Sequence, residues 1–143
     1  MRVRKRILGV DVGDKRIGLA VSDELGITAQ PVGTIHRTGT RDDFTKVVEA
    51  AGTCGVSLIV LGLPKKLDGS PSPQTEKVAR FIEELGKCTT VPLGTWDERL
   101  TTRSAEASLI EAKVRRKARR KVIDSTAAQI MLQHYLDCHR SED

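Results

Sequence analysis

Asp11, Glu98 and Asp124 are three carboxylates far apart in the chain, each at the end of a stretch that reads as a regular element. Asp11 closes a short apolar run and precedes Gly13, which lets backbone or ligand approach closely. Glu98 stands just past another short apolar stretch, and Asp124 lies near the start of an alanine-rich helical pattern. Oxygen ligands gathered at one sheet edge would suit a hard cation such as Mg2+ or Mn2+. Cleavage of a phosphodiester is the chemistry that needs them. The phosphate is anionic, and its hydrolysis adds charge to the attacking and leaving oxygens. Carboxylates alone would repel it, whereas carboxylates holding cations reverse the local sign. Two such ions roughly 4 Å apart can activate water and stabilise the leaving oxygen. Each residue alone has a plainer use. An aspartate after a strand serves most often as a turn or cap residue, Glu98 can pair with Arg99 at the surface, and Asp124 can favour a helix start through the macrodipole.

A dense basic run leads into Asp124. Lys113, Arg115, Arg116, Lys117, Arg119, Arg120 and Lys121 stand within residues 113–121 with no acid between them. Like charges at i, i+4 destabilise a helix, so the run is expected to be mobile until a polyanion neutralises it. The plainer reading is a solvated linker. If all these cations met phosphates on a duplex, log K would fall with log salt at a slope near ~−6. The chain's net charge of +5 and pI of about 9.3 also fit a polyanionic partner. Aromatic residues make up only 3% of the chain, and Phe44 and Phe81 fall on apolar helix faces. That leaves no stacking platform for single strands, and favours recognition of backbone and shape over base readout.

These residues need a scaffold, and the hydrophobic periodicity supplies one. Residues 7–12 and 16–22 read as strands joined by a tight turn at Gly13-Asp14. Residues 27–36 read as a third strand, made irregular or placed at an edge by Pro31. Phe44, Val47, Val48 and Ala51 share one face of a helix over residues 42–54. The run SLIVLGL at 57–63 is the best candidate for a central parallel strand. A loop with Asp68-Gly69 follows, then a helix over 74–87, a strand over 91–96, a helix over 101–111 with Thr101 or Thr102 as N-cap, and a last helix over 122–138. The order β-β-β-α-β-α-β-α-α implies an α/β fold: a mixed sheet, antiparallel then parallel, with helices on its faces.

Length and composition exclude several classes. At 143 residues and 38% apolar content the chain reads as one globular domain spanning 1–143. No apolar run approaches the ~20 residues of a membrane span. Cys54, Cys88 and Cys138 are sparse and unclustered, which argues against disulfides and zinc and for a reducing cytosol. Cys138 is expected to be buried or inert, and His134 to serve packing. The 62–70 loop carries no GxxxxGK[ST] and is no P-loop.

Four blocks stand out: GVDVGDKRIGLAVSD at 9–23, GLPKKLDGS at 62–70, WDERLTTRSAE at 96–106 and KVIDSTAAQIMLQHYLD at 121–137. Together they resemble the YqgF family, also called the RuvX or Holliday junction resolvase family, of ribonuclease H-like fold. The resemblance implies a three-layer ribonuclease H-like domain with a five-stranded sheet. It implies that Asp11, Glu98 and Asp124 are its acidic active-site positions. It also implies a cytoplasmic nuclease acting at the 5′ end of precursor 16S ribosomal RNA. Arg16, Arg99 and Lys121 fall inside matched blocks and are assigned to substrate or structural support. The older family name implies cleavage of four-way DNA junctions, for which a homodimer would be needed to cut two opposed strands. A sugar-kinase-type or actin-like ATP-binding protein also opens with D-x-G, but needs two such domains. A non-catalytic RNA-binding assembly factor would retain its function after Asp11→Asn.

Overall fold

The computed structural model describes residues 6–64, 68–97 and 116–139, with side chains in the last segment described at 127–138. Five strands are β1 Arg6–Val12, β2 Arg16–Ser22, β3 Ala29–His36, β4 Val56–Leu63 and β5 Leu93–Asp97. The helices among the described residues are α1 Asp42–Cys54, α2 Pro73–Gly86 and α3 Arg116–His139. The strands form one sheet in the order β3-β2-β1-β4-β5, with β1–β2 and β2–β3 antiparallel and β1–β4 and β4–β5 parallel. This is the expected mixed sheet. The continuous apolar run becomes β4, between two parallel neighbours and buried on both faces. Pro31 lies on the edge strand β3, beside a register shift opposite Leu19 and Ala20. Its missing N–H is tolerated there.

Alternation sorts the side chains to two faces. Leu8, Val10 and Val12 of β1, Ile17 and Leu19 of β2, and Ile59 and Leu61 of β4 point one way, into a core closed by Val47 and Ala51 of α1 and Val78, Phe81 and Leu85 of α2. Burying each large apolar side chain contributes roughly 1.5–3 kcal/mol. Phe44 and Phe81 meet there with ring centroids 4.8 Å apart. The opposite face is smaller: Ala20 and Ala29 meet Ala128, Leu132 and Leu136 of α3, with Ile7 and Tyr135 against them. Small residues in the sheet let α3 lie close. At Gly9 an added Cβ would stand 2.9 Å from the Leu132 Cβ.

Local signals set the helix ends. Gly55 caps α1 at φ 66° and sends its amide to the Ala51 and Gly52 carbonyls. Ser72 opens α2 with a capping box: its hydroxyl accepts from the Thr75 amide while the Thr75 side chain accepts from the Ser72 amide. The Thr75 hydroxyl also donates to the Pro64 carbonyl, tying the end of β4 to the start of α2.

Three expectations need revision. The last helix begins at Arg116, not at residue 122, so cations 116–121 are helical and Asp124 lies inside the helix. Arginine, lysine and alanine are good helix formers, and the docked alanine-rich half supplies the nucleus from which the helix extends; like-charge pairs oppose this by only a few tenths of a kcal/mol each. Cys138 is exposed, two residues past Leu136, the last buried residue described in the helix. Residues 27 and 28 precede β3 as a turn closed by the Asp23 carboxylate, which accepts from the Ile27 and Thr28 amides. The expected helix at 101–111, with its caps Thr101 and Thr102, lies outside the described residues.

Candidate active site

Asp11 is the next-to-last residue of β1 and is partly exposed. It shares a sheet face with Gly9, the face that α3 covers. Its neighbours on that face carry no side chains. Gly18 of β2 stands directly opposite it, and Gly62 of β4 lies one step past the Val10–Leu61 pair. Among the described residues none donates a hydrogen bond or ion pair to the Asp11 carboxylate. A carboxylate at a strand end, flanked by glycines and with no donor among the described residues, has room and free lone pairs for an external cation or donor.

The turn after Asp11 is held from several sides. The Gly13 amide donates to the Arg16 carbonyl at 2.8 Å, and a Cβ on Gly13 would stand 2.8 Å from that same oxygen. The Arg37 amide donates to the Lys15 carbonyl at 2.8 Å, and Arg37 Nη1 donates to the Gly13 carbonyl at 2.9 Å. The rest of the guanidinium lies 5.3 Å from the Phe81 ring centroid, with Nε 3.6 Å from the Asp43 carboxylate. Asp43 is buried at the start of α1 and accepts from the Thr38 amide at 2.9 Å, the Thr38 hydroxyl at 3.1 Å and the Gly39 amide at 3.0 Å. Burial pushes its pKa up, but the Thr38 and Gly39 amides, the Thr38 hydroxyl and the Arg37 charge together hold it below the ordinary carboxylate value. Arg37 thus joins the β1–β2 turn to α1 and α2. No local motif around Arg37 signals this role.

Asp124 lies on α3 more than two turns after Arg116 and one turn before Ala128. The course of α3 follows from its contacts. Gln129 bonds Ala29, whereas Gln133 bonds both Ala29 and Ile27, so the helix moves backward along the start of β3. β3 runs in the same direction as β1, since both are antiparallel to β2. Hence α3 runs against β1. Ala128 and Leu132 sit over Gly9. Four residues back along the helix is ~6 Å, and two residues forward along the strand is ~6.6 Å. The α3 backbone at Asp124 is therefore carried toward the end of β1 where Asp11 stands.

Glu98 follows Asp97, the last residue of β5, and lies outside the described residues. β5 is parallel to β4 and β4 to β1, so β5 ends at the same end of the sheet as β1. Trp96 there meets Tyr135 of α3 edge-on, with centroids 6.1 Å apart. Among the described residues no group of three His, Cys, Asp or Glu could hold a metal; two of the three candidate ligands lack described side chains. Arg16 is exposed at the start of β2, paired with His36 of β3. Arg99, Lys113 and Arg115 lie outside the described residues. Arg116, Lys117, Arg119, Arg120 and Lys121 lie in the first turns of α3, their side chains outside the description. Gln129 and Gln133 were not singled out by sequence reasoning; their signal is two amides at i, i+4 within a stripe of Ala128, Leu132 and Leu136.

The sheet order and the placement of the helices define a ribonuclease H-like fold. The structure superposes on Thermus thermophilus RuvC, solved in complex with a Holliday junction substrate, with a TM-score of 0.58 at 13% identity, covering 96% of this chain and 97% of that one. A fowlpox virus Holliday junction resolvase matches with a TM-score of 0.54 at 15% identity over 93% of this chain and 99% of its own. At such identities the likeness concerns the fold, here ribonuclease H-like. The sequence profile of the RuvX family, described as Holliday junction resolvase, matches residues 5–138, and the chain belongs to that family. A relative from Clostridioides difficile is 51% identical over 132 residues, 92% of this chain and 94% of its own. One from Desulforudis audaxviator is 43% identical over 136 residues, 95% of this chain and 96% of its own. Both are named "Putative pre-16S rRNA nuclease".

Proposed function

We infer that this chain is a divalent-metal-dependent nuclease whose single ribonuclease H-like domain hydrolyses phosphodiester bonds in precursor 16S ribosomal RNA, at its 5′ end. The observation that carries the reading is Asp11: a half-open carboxylate between two glycines, with no donor among the described residues. A carboxylate so placed would otherwise repel a phosphate. Asp11, Glu98 and Asp124 are the residues that would hold Mg2+ or Mn2+ there, since all are hard oxygen donors. When bound, such an ion offsets the charge building on the scissile phosphate and activates the attacking water.

The chain's own residues bind and orient. Gly18 and Gly62 leave the floor beside Asp11 low enough for a sugar–phosphate backbone to approach. Arg16 at the mouth and the cations from 113 to 121, with Arg99, supply positive charge for successive phosphates. These contacts position the backbone and leave sequence to be read through shape. The names carried by the relatives favour RNA, and the family description favours four-way DNA junctions as a second reading.

One assay separates these possibilities. A 5′-extended 16S precursor and a four-way DNA junction are each incubated with Mg2+, Mn2+ or chelator, using wild type, Asp11→Asn and Glu98→Gln. The expected result is metal-dependent cutting of the RNA that both variants lose by ~10^3-fold or more, about 4 kcal/mol of barrier. Preferential cutting of the junction moves the assignment to the second reading. Equal cutting by the variants, or none by wild type under any metal, removes the catalytic assignment.

A further inference from the structure

The helix that carries Asp124 is held to the sheet by two kinds of contact. One is apolar: Ala128, Leu132 and Leu136 on Ala20 and Ala29. Such packing is non-directional and tolerates a small slide. The other is polar and runs through two glutamines one turn apart. Gln133 Oε1 accepts from the Ala29 amide at 2.9 Å, and Gln133 Nε2 donates to the Ile27 carbonyl at 2.8 Å. Gln129 Nε2 donates to the Ala29 carbonyl at 3.0 Å. Gln133 Nε2 also donates to Asp137 within the helix at 3.1 Å. The two amides thus meet the N–H and C=O of Ala29 and the C=O of Ile27 much as a neighbouring strand would, across 100 or more residues of sequence.

We propose that Gln129 and Gln133 are positioning residues: they clamp α3 to the start of β3 and so fix the register of Asp124 along the sheet relative to Asp11. The proposal rests on the metal-carboxylate reading above. Hydrogen bonds are directional and weaken steeply when misaligned. A one-residue slide of the helix moves it ~1.5 Å, while a metal or catalytic constellation tolerates only ~0.5 Å. Apolar packing alone does not hold that tolerance. The clamp also acts on the backbone of β3, not on side chains, so it reports the position of the sheet itself.

The test uses Gln129→Met, Gln133→Met and the double variant, which keep side-chain length and apolar packing but remove the amides. Mn2+ alone is titrated calorimetrically into each metal-free protein, with Asp11→Asn as control, and helicity and thermal melting are followed by circular dichroism. A folded double variant is expected to bind Mn2+ about tenfold or more weakly. It should also lose kcat on precursor RNA, with KM changed less than about threefold. If the double variant does not fold, Gln129→Met, which removes a single bond, carries the same comparison. A folded variant with the Mn2+ affinity of wild type overturns the clamp. Wild-type affinity in Asp11→Asn instead overturns the carboxylate site on which the clamp rests.

Discussion

A carboxylate buried as fully as Asp43 would hold its proton tightly if nothing opposed burial. Two backbone amides, a hydroxyl and the Arg37 guanidinium oppose it, and the balance falls on the charged side. Because the folded pKa lies below the unfolded value of ~3.9, Asp43 adds stability that is complete above that value and is lost as pH falls through the lower, folded one. Asp43→Asn should cost ~1–3 kcal/mol at neutral pH, since an amide nitrogen must then face N–H donors. Urea midpoints of the two proteins should converge as pH drops below about 4; a constant gap would assign the cost to packing instead. Arg37→Lys is a second test at this scale. A lysine cannot reach the Gly13 carbonyl, Asp43 and the Phe81 face together, so it should melt lower than wild type despite keeping the charge. Asp11 was legible in the sequence because a strand end and a following glycine are local signals. Arg37 and Asp43 were not: the bond from Arg37 to Gly13 spans 24 residues and exists only once β3 lies beside β2.

Elements were legible where a period or a breaker was strong. The apolar run of β4, the four-residue spacing in α1 and the edge placement of Pro31 all came through. The start of α3 did not, because propagation from a docked nucleus outweighs the repulsion within the basic run and leaves no local signal. Close approach between elements was also invisible, since it depends on which strand residues face the helix. Paired glycine substitutions measure it. Gly9→Ala would put a Cβ 2.9 Å from the Leu132 Cβ, an anchored atom of the neighbouring helix. The variant should lose ~1–3 kcal/mol in a urea melt. Gly86→Ala would meet only the Leu93 Cδ1 at 3.6 Å, an ordinary contact. It should fall within ~1 kcal/mol of wild type, on the stable side. Equal losses would mean that α3 yields freely at Gly9.

For the whole molecule, net charge and its clustering predict a salt-dependent partner, and none of the described helices is long and apolar enough to cross a membrane. Replacing Arg116, Lys117, Arg119 and Arg120 by serine should weaken binding of duplex RNA and flatten the log K against log salt slope by up to about 3.6. An unchanged slope removes the run from the interface. Asp11 and Asp124 are singled out together in the sequence, but the path of α3 across the sheet is not legible there, because it is set by contacts between the two ends of the chain. Gln133 reaches back 104 residues to Ala29. That separation has a consequence in time. The core of the sheet with α1 and α2 draws on residues no later than Leu93, whereas the second face waits for Ala128 to Leu136. As a chain is synthesised from its N-terminus, domains can begin to fold before synthesis ends. The first face can therefore close while α3 is still unmade. The face that holds Asp11 and receives α3 is the last to be completed, after the opposite face already has all of its residues.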